Sequence, residues 1–133
     1  SREGAAIITD MLKGVVTEGT GKGIGDLGRP VAGKTGTTNK FRDALFVGFS
    51  PTIAAGVWVG RDDFAPLGPY ETGARAAMPI WRAFMEIALQ DAPLLYFDFP
   101  DDLAQVRMDP QTGKIVAGEA GVPARIRKRQ QVQ

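Results

Sequence analysis

The chain has 133 residues, 44% of them hydrophobic, with 16 basic and 15 acidic side chains and a net charge of +1. That is one domain's length with enough apolar material for a core, and the scattered charge singles out neither nucleic acid nor a membrane surface as a partner. With no cysteine and no histidine there is no disulfide, thiolate metal site or imidazole base, so if the chain is an enzyme its proton transfers fall to lysine or carboxylates. The lack of cysteine is compatible with the periplasm. No apolar run approaches the ~20 residues of a membrane span.

Glu3 to Glu18 reads as a helix. Ala5, Ile8, Leu12 and Val15 recur at helical spacing, Ile7, Met11 and Val16 widen the stripe, and Ser1 is placed to cap it. Gly19, Gly21, Gly23, Gly25 and Gly28 then end the helix and mark irregular, mobile chain. Val31 to Thr38 reads as a strand of small and hydroxyl residues, and Asn39 to Asp43 as a turn. Ala44 to Ser50 and Ile53 to Gly60 are two strongly apolar strands around a Pro51-Thr52 turn. Connections this short favour antiparallel hairpins. The near-continuous apolar character predicts that both faces of the sheet are covered, and Gly48 and Gly56 point to bulges or close backbone approach. Arg61 to Thr72 is a loop with two prolines. A second helix is expected over Ala74 to Gln90, regular only from about Met78 because of Pro79. It carries Met78, Trp81, Met85 and Ala88 on one face, with Ile80, Phe84 and Ile87 beside them. Leu94 to Asp102 is aromatic-rich and irregular. Ala104 to Met108 and Lys114 to Ala117 flank a hairpin loop, Asp109 to Gly113, and the basic tail from Arg125 to Gln130 is expected to fray. There is no internal repeat.

The chemistry is concentrated in Ala32-Gly33-Lys34-Thr35-Gly36-Thr37-Thr38. Gly28 to Thr35 satisfies the nucleotide-loop pattern G-x-x-x-x-G-K-[ST] by letters. A phosphate loop, however, must follow a buried strand and open a helix. Here a glycine-rich stretch precedes the pattern, and a turn and two strands follow. The alternative is an active-site strand that binds a carboxylate or an acyl group. Lys34-Thr35-Gly36 is the lysine-threonine-glycine motif of the serine transpeptidases and serine β-lactamases. Its setting is more specific than its three letters. Arg29 to Asn39, Asp43 to Phe49, Ala55 to Gly60 and Glu71 to Trp81 follow in order. Together with Met11 to Val16 and Gly19-Thr20-Gly21, they closely resemble the transpeptidase domain of class A penicillin-binding proteins, over roughly two-thirds of the chain.

That resemblance implies an α+β fold: part of a penicillin-binding/β-lactamase-like transpeptidase, with three antiparallel strands of a larger sheet flanked by helices. It implies that 1–92 is the C-terminal part of that domain and that 93–133 is an extension with a possible hairpin. It implies acyl transfer. A serine attacks the penultimate D-alanine carbonyl of a peptidoglycan stem peptide, the last D-alanine leaves, and an amine from a neighbouring stem takes the acyl group. β-Lactams acylate the same serine. The resemblance gives Lys34 a charge that favours a carboxylate and assists proton shuttling. Thr35 and Thr37 offer hydroxyls to the substrate carboxylate, with Thr38 extending the row. The Thr37 N–H forms half of an oxyanion hole, and Gly36 lets substrate lie along the strand edge. No cofactor, metal or nucleic acid is implied. The location implied is the bacterial cell envelope, on the periplasmic face of the inner membrane.

The nucleophile pattern Ser-x-x-Lys and a usable Ser-x-Asn are absent from the sequence. The expectation is therefore a piece of a longer protein whose upstream part carries those motifs, inactive alone and exposing apolar strand surface. A catalytically silent binding or scaffold remnant of the same fold is the alternative, with the nucleotide loop behind it. Several other features have plain readings. Asp62 and Asp63 point to opposite faces of extended chain, as in a solvated loop. Trp58 and Trp81 read as core. Phe41 and Arg42 either line a substrate groove or fill the turn. The basic tail reads as solvated, and Asp109 to Gly113 lacks the ligand spacing of a calcium loop.

Overall fold

The computed structural model describes residues 1–128. The chain forms two compact units, Leu12–Phe97 and Ser1–Met11 together with the segment from Asp98 onward. Helix α1 (Arg2–Thr17) contributes its beginning to one and its end to the other. Ser1 caps it as expected: its Oγ accepts the Gly4 N–H at 3.2 Å. The buried positions of α1 are Ala6 and Val16, while Ile8 and Met11 of the expected stripe are exposed. The apolar stripe in the sequence therefore lies about one position away from the face that is covered.

In the larger unit β1 (Ala32–Thr37), β2 (Asp43–Phe49) and β3 (Ala54–Gly60) form an antiparallel sheet in sequence order. The register runs unbroken from Ala32↔Phe49 to Thr37↔Ala44 and from Asp43↔Gly60 to Phe49↔Ala54, so neither Gly48 nor Gly56 makes a bulge. A wide π-type turn (Gly73–Ala77) leads into α2 (Met78–Ala88), with Pro79 in its first turn, where the lost N–H costs nothing. Met78, Trp81, Met85 and Leu89 of this segment pack on Phe46, with Val16, Ile24 and Val31 completing the core. The Trp81 and Phe46 rings meet edge to face at 4.9 Å, and Trp81 Nε1 donates to the Ala55 carbonyl at 3.0 Å.

Only one face of this sheet is covered among the described residues. Opposed residues of an antiparallel pair share a face. Ala44, Phe46 and Gly48 are buried under α2, whereas Val47 between them is exposed. The expectation of two covered faces is not met, and the expected exposure of apolar strand surface is. Trp58 is corrected with it. Trp58 pairs with Leu45 on the outer face and is 55% exposed, while Trp81 is fully buried. The Trp58 indole lies over Gly60, where any Cβ would come within 2.1 Å of the ring.

In the other unit β4 (Leu103–Met108) pairs antiparallel with both β5 (Ile115–Val116) and β6 (Val122–Arg127). The hairpin across Asp109 to Gly113 is as expected, closed by Gly113 at φ 68°. Its Asp109 carboxylate accepts the Gln111 and Thr112 N–H groups, which hold its pKa below the usual carboxylate value. The end from Arg125 to Gln130 was expected to fray. Instead Arg125 to Arg127 are strand, and Arg125 lies 3.5 Å from Asp10 with its guanidinium over the Phe99 ring. Arg129 and Gln130 lie outside the described residues.

Gly48 and Gly56 allow a matched test of the packing. A Cβ at Gly48 would sit 2.7 Å from the Trp81 ring, whereas at Gly56 the nearest atom is Val47 Cγ2 at 3.6 Å. Gly48→Ala is expected to lower stability by about 1–3 kcal/mol through overpacking. Gly56→Ala should be close to neutral. Equal denaturant midpoints for the two variants would contradict this account of the core.

Candidate functional site

Lys34 to Thr37 occupy the last four positions of β1, an edge strand. Two constraints set what each residue presents. The first is the pleat. Thr35 pairs with Phe46 and Thr37 with Ala44, so both threonines share the α2 face. Lys34 pairs with Val47 and Gly36 with Leu45, on the outer face. The second is the direction of the amides. The Thr38 N–H donates to the Asp43 carbonyl at 3.1 Å, inward to β2. N–H direction alternates along a strand, so Thr35 and Thr37 turn their N–H and C=O groups toward the free edge.

The side chains converge on that edge from both faces. Lys34 Nζ bends over it and donates to the Thr35 carbonyl at 2.8 Å, with Thr35 Oγ1 at 3.4 Å. Thr35 Oγ1 also lies 3.0 Å from Thr20 Oγ1, which places the Gly19-Thr20-Gly21 segment beside the strand. Thr37 Oγ1 accepts the Gly73 N–H at 3.0 Å, leaving its own hydrogen to donate elsewhere. Thr38 is used differently. Its hydroxyl donates to Asp43 Oδ2 at 3.0 Å and accepts the Asp43 N–H at 2.8 Å, so it closes the turn.

Three residues assist this edge without having been singled out as site residues in the sequence. Asp43 accepts from Thr38 and, through Oδ1, from Trp58 Nε1 at 3.0 Å, tying the end of β1 to β3. Gly73 is packed so closely that a Cβ there would fall 2.2 Å from the Leu45 carbonyl oxygen and 2.5 Å from that of Gly36. Thr20 is the third. Only their presence in the segments of the family resemblance marked all three, and Asp43 was otherwise read as the end of the turn. Phe41 fills the turn. Its N–H bonds the Thr38 carbonyl, its carbonyl accepts the Leu67 N–H, and its ring lies 6.2 Å from that of Tyr70. Lys40 and Phe41 both adopt positive φ there, a sparsely populated conformation for such residues.

The nucleotide-loop reading fails on geometry. Lys34 and Thr35 lie within a strand that continues to Thr37, and no helix begins there to present its N-terminus to phosphate. The two serines of the chain are also accounted for. Ser1 caps α1. Ser50 is buried in the β2–β3 turn, where its Oγ accepts the Ile53 N–H at 3.1 Å.

With this geometry in view, the comparisons with known proteins are decisive. The family described as "Penicillin binding protein transpeptidase domain" matches residues 1–86. The chain belongs to the penicillin-binding protein transpeptidase family. It is 46% identical over 116 residues to penicillin-binding protein 1A of Aquifex aeolicus, covering 86% of this chain and 16% of that protein. It is 41% identical over 114 residues to penicillin-binding protein 1A of Pseudomonas aeruginosa, covering 85% of this chain and 14% of that one. The crystal structure of penicillin-binding protein 1A from Haemophilus influenzae superposes with a TM-score of 0.80 at 31% identity, over 92% of this chain and 20% of that one. The chain thus spans less than a fifth of the length of these curated relatives. The fold is the α+β, partial transpeptidase fold expected from the sequence.

The Asp62–Asp63 pair sits in an exposed loop. Asp63 accepts two bonds at 3.0 Å from the Arg61 guanidinium and one from the Ala65 N–H at 3.1 Å. The Arg61 bonds first, and the Ala65 amide second, lower its pKa from 3.8 to about 2. A depressed carboxylate pKa means that the contact persists above the ordinary value and is lost as pH falls through the folded one. A carboxyl-carbon NMR titration should give Asp63 a midpoint of about 2, rising toward 3.8 in Arg61→Gln. A midpoint unmoved by that substitution would show that the guanidinium is not the cause.

Proposed function

We propose that this chain supplies the substrate-binding strand of a serine D,D-transpeptidase of class A penicillin-binding proteins. That enzyme would cross-link peptidoglycan stem peptides through an acyl-enzyme. The observation that carries the reading is the β1 edge itself. The outward N–H and C=O groups of Thr35 and Thr37, the Lys34 ammonium and the Thr37 hydroxyl meet along one unpaired strand edge. An extended peptide can pair with such an edge as an added strand. The relatives named penicillin-binding protein 1A support the class.

In this reading the upstream part of the same protein brings the serine of Ser-x-x-Lys and the Ser-x-Asn motif. The serine hydroxyl attacks the penultimate D-alanine carbonyl. The C–N bond breaks, the terminal D-alanine leaves as the amine, and an amine of a second stem then takes the acyl group and restores the serine. The Thr37 N–H stabilises the tetrahedral oxyanion as half of the oxyanion hole. The Lys34 ammonium holds the substrate's terminal carboxylate and assists proton transfer. The hydroxyls of Thr35 and Thr37 bond the same carboxylate. Gly36 keeps the strand slim beside the substrate, and Thr38 contributes through the turn it closes. Residues 1–92 form the C-terminal part of the transpeptidase and 93–133 an extension. β-Lactams acylate the same serine, and the protein works in the bacterial cell envelope, at the periplasmic face of the inner membrane. No described helix is long and apolar enough to cross a membrane, so in this reading the anchor lies elsewhere in the protein.

A fluorescent penicillin tests the proposal. The 133-residue chain alone should take no covalent label, whereas the polypeptide carrying the upstream motifs should label. In that polypeptide Lys34→Ala should slow acylation at least ~100-fold, the usual cost of removing an oxyanion or acid–base component. Labelling of the chain alone would refute the division of roles, and near-wild-type acylation of Lys34→Ala would remove Lys34 from it. If even the longer polypeptide stays unlabelled, the silent scaffold reading replaces this one.

A further inference from the structure

Thr20 reaches the β1 edge from outside the sheet, and its hydroxyl decides where a proton lies. The end of α1 is wrapped as well as stopped. The Gly19 N–H donates to the Gly14 and Val15 carbonyls, both at 3.1 Å, and the Gly21 N–H returns to the Val15 carbonyl at 2.9 Å. Both glycines lie flush on the last turn of the helix. A Cβ would come 3.0 Å from Val15 backbone atoms at Gly19, and 3.1 Å from the Val15 oxygen at Gly21. Thr20, between them, is exposed and carries the side chain that meets β1. The wrap is also fixed from below. The Ile24 N–H bonds the Gly21 carbonyl at 3.0 Å, and Ile24 is fully buried in one core with Val16 of α1 and Val31 at the entry to β1.

A threonine hydroxyl has one hydrogen to give and two lone pairs to receive. Thr35 Oγ1 lies 3.0 Å from Thr20 Oγ1 and 3.4 Å from Lys34 Nζ. An ammonium only donates, so toward Lys34 the Thr35 oxygen is an acceptor. A single hydrogen lies between the two threonines, and either oxygen is able to supply it. If Thr35 supplies it, Thr35 meets an arriving carboxylate with lone pairs, and an ionised carboxylate is itself an acceptor only. If Thr20 supplies it, the Thr35 hydrogen is released toward the strand edge. Among the described residues Thr20 Oγ1 has no other partner, so nothing competes for its hydrogen. Donation into the Thr35 oxygen also strengthens the bond that Thr35 makes with its own hydrogen.

We infer that Thr20 is a positioning residue of the carboxylate site: it donates to Thr35 Oγ1, so that Thr35 gives its hydrogen to the substrate's terminal carboxylate. The inference rests on the proposed role of β1 and deepens it. Thr20 touches no substrate and acts only through Thr35. The bond joins an exposed side chain to a partly buried one, and β1 is already held to β2 by six residue pairs. Its effect therefore belongs to ligand binding and not to folding.

The test uses the polypeptide that carries the upstream motifs and reads the rate constant for acylation by a fluorescent penicillin, whose carboxylate stands in for that of the substrate. Thr20→Val keeps the shape and removes the hydroxyl. It should slow acylation about three- to tenfold, the usual worth of one hydrogen bond. Thr20→Ser keeps the hydroxyl and should stay within about twofold of wild type. Thr35→Val removes the group through which Thr20 acts, so the double variant should be no slower than Thr35→Val alone. Circular dichroism checks folding, and Thr20→Ala is judged on the same terms if Thr20→Val is misfolded. Three results would overturn the inference: wild-type acylation of Thr20→Val, a Thr20→Ser variant as slow as Thr20→Val, or losses that multiply independently in the double variant. Each of these leaves the reading of β1 standing. Acylation that is absent from the longer polypeptide, or undiminished by Lys34→Ala, removes that reading and this inference with it.

Discussion

The contact on which the rest of the larger unit depends is that of Trp81 with the β2–β3 pair. The indole lies where Gly48 has no side chain, meets Phe46 edge to face and ties its N–H to the Ala55 carbonyl. Burying a ring of that size contributes a large share of the apolar stabilisation available to so small a core. It also decides which face of the sheet is inside. Side chains alternate strictly along a strand, so once Phe46 faces α2 its neighbour Val47 must face away, and Lys34 opposite Val47 with it. A slip of one residue would exchange the faces and drive the Lys34 ammonium into the core, a change the apolar interior would not tolerate. The position of Lys34 thus follows from the packing of Phe46, twelve residues away in sequence, and from a helix later still.

The other constraint is the turn that ends β1. Thr38 and Asp43 bond each other three times: the Thr38 N–H to the Asp43 carbonyl, the Asp43 N–H to the Thr38 hydroxyl, and that hydroxyl to the Asp43 carboxylate. This locks the parity of the strand, and with it the outward direction of the Thr35 and Thr37 amides. Asp43 is in turn fixed by Trp58 on the outer face. Unpaired edges invite association with other chains, and proteins commonly blunt them with charge. Here the blunting charge is Lys34, whose ammonium covers the edge carbonyl of Thr35.

Much of the fold was legible in the sequence because its signals are local. Gly19 and its neighbours end α1, Pro51 marks the β2–β3 turn, and Pro79 marks the start of regular helix. What was not legible is tertiary. Apolar runs such as Ala-Leu-Phe-Val suggested two covered faces, but hydrophobicity does not say whether a covering element is at hand, and Val47 and Trp58 face outward. β6 carries Pro123 and two basic residues, Arg125 and Arg127, and the run from Arg125 read as a tail. Its pairing partner β4 lies some twenty residues earlier, and edge position excuses both the proline and the charge. The letters of a nucleotide loop could be set aside from the sequence, because that motif is defined by the helix after it and strands follow here. Within the site, the lysine-threonine-glycine motif was visible through family likeness. The parts played by Asp43 and Gly73 were not, because they rest on hydrogen bonds and close approaches to residues that only the folded chain brings together.

The four oxygen and nitrogen groups at the edge are therefore not equivalent, although the sequence presents them as a row. Thr38 has both its donor and an acceptor engaged in the turn. Thr37 has only an acceptor engaged, by the Gly73 N–H, so its hydrogen is the hydroxyl donor left for a ligand. Thr35 shares its hydroxyl with Thr20, and its carbonyl is occupied by Lys34. In the proposed function this occupation has a consequence. An added substrate strand needs the Thr35 carbonyl as an acceptor for its own amide, and the ammonium now on that carbonyl must then move. The carboxylate arriving with the same substrate is the stronger partner for the displaced charge, since charge-assisted pairs exceed neutral acceptors. Strand pairing and carboxylate capture are in that sense one exchange: each makes available the group that the other requires.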